Sequence, residues 1–268
     1  MHSFLDLVSA SLSFFTVREA GKPADHDHPF GHGKIETLSS LFESLLLAVA
    51  AGLIFYEGIK HLYHPHPIHH GAIAAGVMLI SMGINYWIYR HNLQAAQITD
   101  SSALHVNALH FLSDIVTSLA VLLGLLAIKL TGWNVIDPLL AFAVAIYILI
   151  ISMKQVKRAL LELSDTQLPD HEIQQIRNLL GVFHHKIIEA HDLRTRKSGA
   201  TRHIDFHLVV CREMTVNASH GVCDEIESKI IDVFPSASVN IHVEPCEHGN
   251  PDCGVDCPVD KKKKKKKE

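Results

Sequence analysis

The 268-residue chain carries 24 Lys+Arg against 28 Asp+Glu, a net charge of −4. Seven lysines and one glutamate close it as Lys261–Lys267 and Glu268; without them the balance is 17 against 27, or −10, and so acidic a body excludes nucleic acid as a partner. Residues 35–153 hold only nine charged side chains and the remaining 149 residues hold 43, which excludes a single water-soluble domain behind the ordinary 48% hydrophobic average.

In chain order, Ser3–Val17 is apolar apart from Asp6 and is short for a membrane span. Four longer apolar segments follow, Glu36–Leu62, Gly71–Tyr89, Ser101–Leu130 and Pro138–Met153. Gly71–Tyr89 is free of charge over 19 residues, about 28 Å of helix and close to the thickness of a hydrocarbon core. These segments predict an all-α membrane bundle of four complete spans and one stub. Arg18, Lys22, Lys34, Arg90, Lys154, Lys157 and Arg158 lie on one side of it and only Lys60 and Lys129 on the other, which predicts a cytoplasmic C-terminal domain.

From Pro169 the pattern alternates: a helix over Asp170–Val182, strands over Lys186–Arg196 and Thr201–Cys211, a helix over Val216–Phe234 and a strand over Ala237–Glu244. The order α-β-β-α-β predicts a small α+β domain with its helices on one face of a sheet. The resulting division is a membrane domain over 1–162, a cytoplasmic domain over 163–246 and a flexible tail over 247–268. That tail spaces Cys246, Cys253 and Cys257 in a pattern unlike a standard zinc finger, and its lysines read as a solvated run. No signal peptide precedes the five cysteines, so a secreted disulfide scaffold is not expected. No nucleophile–base pair or phosphate-binding loop stands out either, which argues against a chemical enzyme.

The 21 histidines point to metal. His110 and Asp114 stand at i and i+4 within an apolar segment, on one face of a helix. His2 and Asp6 repeat the pattern in the stub. A carboxylate at membrane depth costs several kcal/mol unless compensated, and a divalent cation compensates it. Two imidazoles with two carboxylates suit tetrahedral Zn²⁺, though Cd²⁺, Co²⁺, Fe²⁺ and Mn²⁺ accept similar donors. Asp25, His28 and His32 form a second candidate group in the loop Pro23-Ala-Asp-His-Asp-His-Pro-Phe-Gly-His-Gly-Lys34. His191, His207, His220, His242 and Glu244 form a third in the soluble half.

The motifs His2-Ser-Phe-Leu-Asp6, Phe30-Gly-His-Gly-Lys34, His110-Phe-Leu-Ser-Asp114, His191-Asp-Leu-Arg-Thr-Arg196 and Ile241-His242-Val-Glu244-Pro-Cys246 resemble the cation diffusion facilitator family of metal exporters. The resemblance implies efflux of a divalent cation, Zn²⁺ foremost, by proton antiport, and a homodimer in the lipid bilayer of a bacterial inner membrane. It assigns the transport site to His2, Asp6, His110 and Asp114, a loop site to Asp25, His28 and His32, and a two-metal cluster to His191, His207, His220, His242 and Glu244 in a ferredoxin-like domain. It also implies a dimer interlock through Lys34 and Asp165. Family members have six spans, so the resemblance implies that the first span and the start of the second are missing here. A second reading, a non-transporting membrane metal sensor or assembly subunit, follows from that departure.

Overall fold

The structure is a computed structural model that describes residues 11, 13–63, 71–133 and 135–247, with backbone only for 71–75. Helical residues 13–20 precede four long helices: α1 (Gly33–Tyr63), α2 (Gly71–Thr99), α3 (Ser102–Thr131) and α4 (Ile136–Leu163). The soluble half runs α5 (Asp170–Val182), β1 (Glu189–Ser198), β2 (Thr201–Val210), α6 (Val216–Val233) and β3 (Ala237–Pro245). The chain divides into two compact units, Met1–Ser164 and Asp165–Glu268.

Among the described residues α1, α3 and α4 are long and apolar enough to cross a membrane. Their outward faces carry Leu38, Leu45, Leu123, Leu126 and Ile150 exposed, as lipid-facing surfaces require. Two helices outrun the apolar segments: α2 continues past Tyr89 to Thr99, and α4 continues past Met153 to Leu163. Hydropathy marks only the stretch in contact with hydrocarbon, whereas the backbone bonding of a helix carries on into the polar zone.

Buried polar contacts brace one end of this bundle. Glu36 accepts from the Ser101 hydroxyl (2.5 Å) and from the Ala103 N–H (3.1 Å), joining the start of α1 to that of α3. Ser101 also caps α3 by accepting from the Leu104 N–H (3.2 Å). Thr37 donates to Glu162 at 2.6 Å, tying α1 to the end of α4. Deeper in, Leu47, Ala51, Val144 and Ile148 pack α1 against α4, and Gly58 lets Phe142 approach.

In the second unit β1 pairs antiparallel with β2, and β2 pairs parallel with β3 through the α6 crossover. Ile176, Leu180, Ile204, Phe206, Leu208, Ile226 and Ile230 fill the core between sheet and helices. β1 starts three residues later than its sequence pattern suggested and ends two later. Charged residues in β1 leave hydrogen bonding rather than hydropathy to set its limits.

Candidate metal sites

In the first unit His110 Nε2 lies 3.8 Å from Asp114 Oδ2, one helical turn apart on α3, and both side chains are largely buried. Their expected partners His2 and Asp6 lie outside the described residues. A carboxylate beside an imidazole in an apolar bundle is a donor pair for a divalent cation.

The loop before α1 is built on Asp25. Its Oδ1 accepts from the backbone N–H of Asp27 (3.0 Å) and His28 (2.7 Å), an Asx-type turn, and Gly31 takes the positive φ of 81° that the reversal needs. The His28 N–H holds the Asp25 carboxyl below the ordinary carboxylate range. Asp25 therefore keeps its charge, and with it the turn, to a lower pH than a free aspartate would. The same carboxylate faces His28 Nδ1 at 3.4 Å and His32 Nε2 at 3.3 Å, and the three donor atoms lie within 4.8 Å of one another. His32 is buried, and its Nδ1 has no hydrogen-bond partner. Lys34 stands next along, in the first turn of α1.

In the second unit the sheet aligns three histidines. His191 is opposite His207 on β1 and β2, and His207 is opposite His242 on β2 and β3. Glu244 closes the row: its Oε1 lies 3.0 Å from His207 Nδ1 and 3.8 Å from His242 Nε2, and its Oε2 lies 3.5 Å from His191 Nε2. The donor atoms of His191, His207 and Glu244 fall within 4.8 Å of one another, and His191 Nδ1 is buried without a hydrogen-bond partner. Convergent nitrogen and carboxylate donors with an orphaned imidazole nitrogen fit a borderline cation such as Zn²⁺.

Asp192 borders this group: its Oδ2 lies 3.7 Å from His207 Nε2 and accepts from Arg194 Nη2 at 2.8 Å, and sequence reasoning did not single it out. Neighbours on a regular strand point to opposite faces, but β1 shifts register between His191 and Arg194 and Asp192 takes a φ of 50°. That bulge brings both members of the His191-Asp192 dipeptide to His207; its only sequence signal was the dipeptide itself. His220 sits apart from this group on α6, 3.7 Å from Asp224, with its side chain mostly exposed. Asp165 follows α4 with a φ of 56° and meets Arg196 at 3.7 Å. Cys246 is a buried free thiol that closes the sheet through its N–H to Val210 O (2.9 Å), while Cys253, Cys257 and Lys261–Lys267 lie outside the described residues.

A helical membrane unit with a buried His–Asp pair, joined to a small α+β unit with a histidine row, defines a membrane transporter of metal cations. Residues 1–164 match the cation efflux transmembrane domain and residues 168–246 the cytoplasmic domain of cation efflux proteins. The chain belongs to this cation efflux family, the cation diffusion facilitators. It is 34% identical over 244 residues to the cation-efflux pump FieF of Yersinia pestis (strain Pestoides F), covering 91% of this chain and 81% of the relative. The FieF of Yersinia pseudotuberculosis serotype O:3 (strain YPIII) matches to the same extent. Among solved structures, CzrB in its zinc form is 36% identical with a TM-score of 0.30, covering 31% of this chain and 96% of that one.

Proposed function

We propose that the chain exports Zn²⁺ in exchange for protons through a site formed by His2, Asp6, His110 and Asp114. The observation that carries this is the His110–Asp114 pair, buried on α3 in a chain of the cation efflux family. Metal binding needs neutral imidazoles and ionised carboxylates, so loading the site releases protons, and protons arriving from the other side displace the metal. The nitrogen and oxygen donors also admit Cd²⁺, Co²⁺, Fe²⁺ and Mn²⁺.

In this reading Asp25, His28 and His32 receive the cation on the cytoplasmic side of a bacterial inner membrane. His191, His207, Glu244 and Asp192, with His242 beside them on the sheet and His220 on α6, sense it in a cytoplasmic domain over 163–246. Metal there draws two copies of the domain together in a homodimer whose membrane domains (1–162) interlock through Lys34 and Asp165. The test is zinc uptake into proteoliposomes under an imposed pH gradient, with the Asp114→Ala variant beside the wild type. Gradient-driven flux that vanishes in the variant is expected. Undiminished flux in Asp114→Ala, or wild-type flux indifferent to the gradient, overturns the reading. Zinc-dependent dimerisation without flux in either chain favours the sensor reading instead.

A further inference from the structure

One ionisable group in the membrane unit has no part in any of these metal sites. Glu43 lies on α1 and is 4% exposed. Its Oε1 accepts from the Ser39 hydroxyl at 3.3 Å, and its Oε2 is buried with no hydrogen-bond partner. The Ser13 hydroxyl beside it is likewise buried. Thr16, also on the preceding helical segment, donates to Ser39 Oγ at 2.9 Å, so a small polar nest of Ser13, Thr16, Ser39 and Glu43 sits between that segment and α1.

Among the described residues no charge is bonded to the carboxylate there. Of the ionisable groups on the surrounding helices, Glu19 pairs with Lys22, Glu36 is held by Ser101 and Ala103, Glu162 takes Thr37, and His110 faces Asp114. Among the described residues none of them is bonded to Glu43. An ionised carboxylate in such a place costs several kcal/mol, so the group is held either by a cation or by a proton. A nest of two serines and a threonine offers neutral oxygens and no second anion, which suits a proton better than a divalent metal. A proton on Oε2 also turns that orphaned atom into a donor, with the Ser13 oxygen as its acceptor.

Depth agrees with a role in transport. Ser40 and Ser102 are hydrogen-bonded across α1 and α3 (3.1 Å) and so mark one level of the bundle. Glu43 lies about 4–5 Å beyond that level along α1 and His110 about 12 Å along α3, at 1.5 Å per residue, so Glu43 stands between the bracing contacts at the end of the bundle and the His110–Asp114 pair.

We propose that Glu43 is a proton-carrying station of the transport cycle, separate from the metal-binding His110–Asp114 pair. Its O–H bond forms at Oε2 with a proton taken from hydronium on the outward side, neutralising the carboxylate. The bond breaks on the inward side, where water accepts the proton and the carboxylate is restored, while the metal crosses the other way. The station thus returns one proton per metal ion and uses no oxidant or further reactant. This inference rests on the proton-antiport reading above.

The experiment uses the full chain in proteoliposomes, wild type against Glu43→Gln. Glutamine keeps the shape and an oxygen for the Ser39 hydroxyl, so the fold survives, but it never exchanges a proton. Zinc uptake and proton release are recorded together across a series of imposed pH gradients, and infrared difference spectra are taken on the same samples. Expected are a protonated-carboxyl stretching band that disappears in Glu43→Gln, and one proton fewer per zinc ion in the variant with a flattened dependence on the gradient. Absence of that band from the wild type, or an unchanged proton-to-zinc ratio in the variant, overturns the role of Glu43 while leaving antiport standing. Wild-type zinc flux that ignores the gradient removes the antiport reading and this inference with it.

Discussion

Replacing Glu244 with alanine removes the side chain that lies against His207, His191 and His242 of the sheet, at 3.0, 3.5 and 3.8 Å. Loss of a partner that merely orients a metal ligand weakens binding about 10–100-fold, or about 1.4–2.7 kcal/mol, so loss of a direct donor is expected at the upper end of that range. Zinc at about 100 times its dissociation constant stabilises the folded protein by about 2.7 kcal/mol, and at a concentration merely equal to that constant by about 0.4 kcal/mol. A 100-fold loss of affinity therefore moves the zinc-induced stabilisation from the first figure to the second at one fixed zinc concentration. Glu244 lies outside the apolar core, and without metal its removal is expected to change stability by no more than about 0.5 kcal/mol. Hydrogen exchange of the β1, β2 and β3 amides in the full chain, with and without zinc, reads both quantities. Full zinc-induced protection in Glu244→Ala refutes the site. An equal loss of protection in the metal-free variant refutes the division between ligand and scaffold.

The bulge at Asp192 makes a second test: Asp192→Asn is expected to weaken zinc at the same cluster by about 10-fold in a chelator competition, because the amide keeps the shape and loses the charge. In the same unit Arg202 donates from Nε and Nη2 to Glu172 at 2.7 and 3.0 Å, with both side chains mostly buried and the guanidinium 5.3 Å from the Phe234 ring. Glu172→Ala removes that two-pronged contact and is expected to cost about 1.5–3 kcal/mol, read as an earlier unfolding transition in denaturant. In the membrane unit a Cβ on Gly58 would stand 2.8 Å from Phe142 Cε1, so Gly58→Leu is expected to cost about 1–3 kcal/mol and to lower the thermal midpoint in detergent.

Much of the architecture was legible because the signals are local. The helices α1 and α3 begin and end within three residues of their apolar segments, and α5 covers the span its periodicity predicts. Hydrophobic length and a 3.6-residue period are properties of consecutive residues. Where charge and apolarity alternate, as at the ends of α2 and α4 and along β1, hydropathy stopped short of the backbone hydrogen bonding.

The candidate sites divide on the same principle. His110 with Asp114, and Asp25 with His28 and His32, are separated by one turn of helix or one loop, and the spacing alone brings each group together. Sequence also determined the membrane character of residues 35–153, because no compact soluble fold hides so long a run with nine charges. Only the tertiary structure decided which donors meet across the sheet, since the parallel pairing of β2 with β3 and the bulge at Asp192 depend on hydrogen bonds between residues far apart in the chain. It also isolated Glu43: on a sequence this is one more acid on an apolar helix, and only packing shows that it is buried, with no hydrogen-bond partner for its second oxygen among the described residues. Burial is a property of the neighbours a residue acquires on folding, and no local spacing rule encodes it.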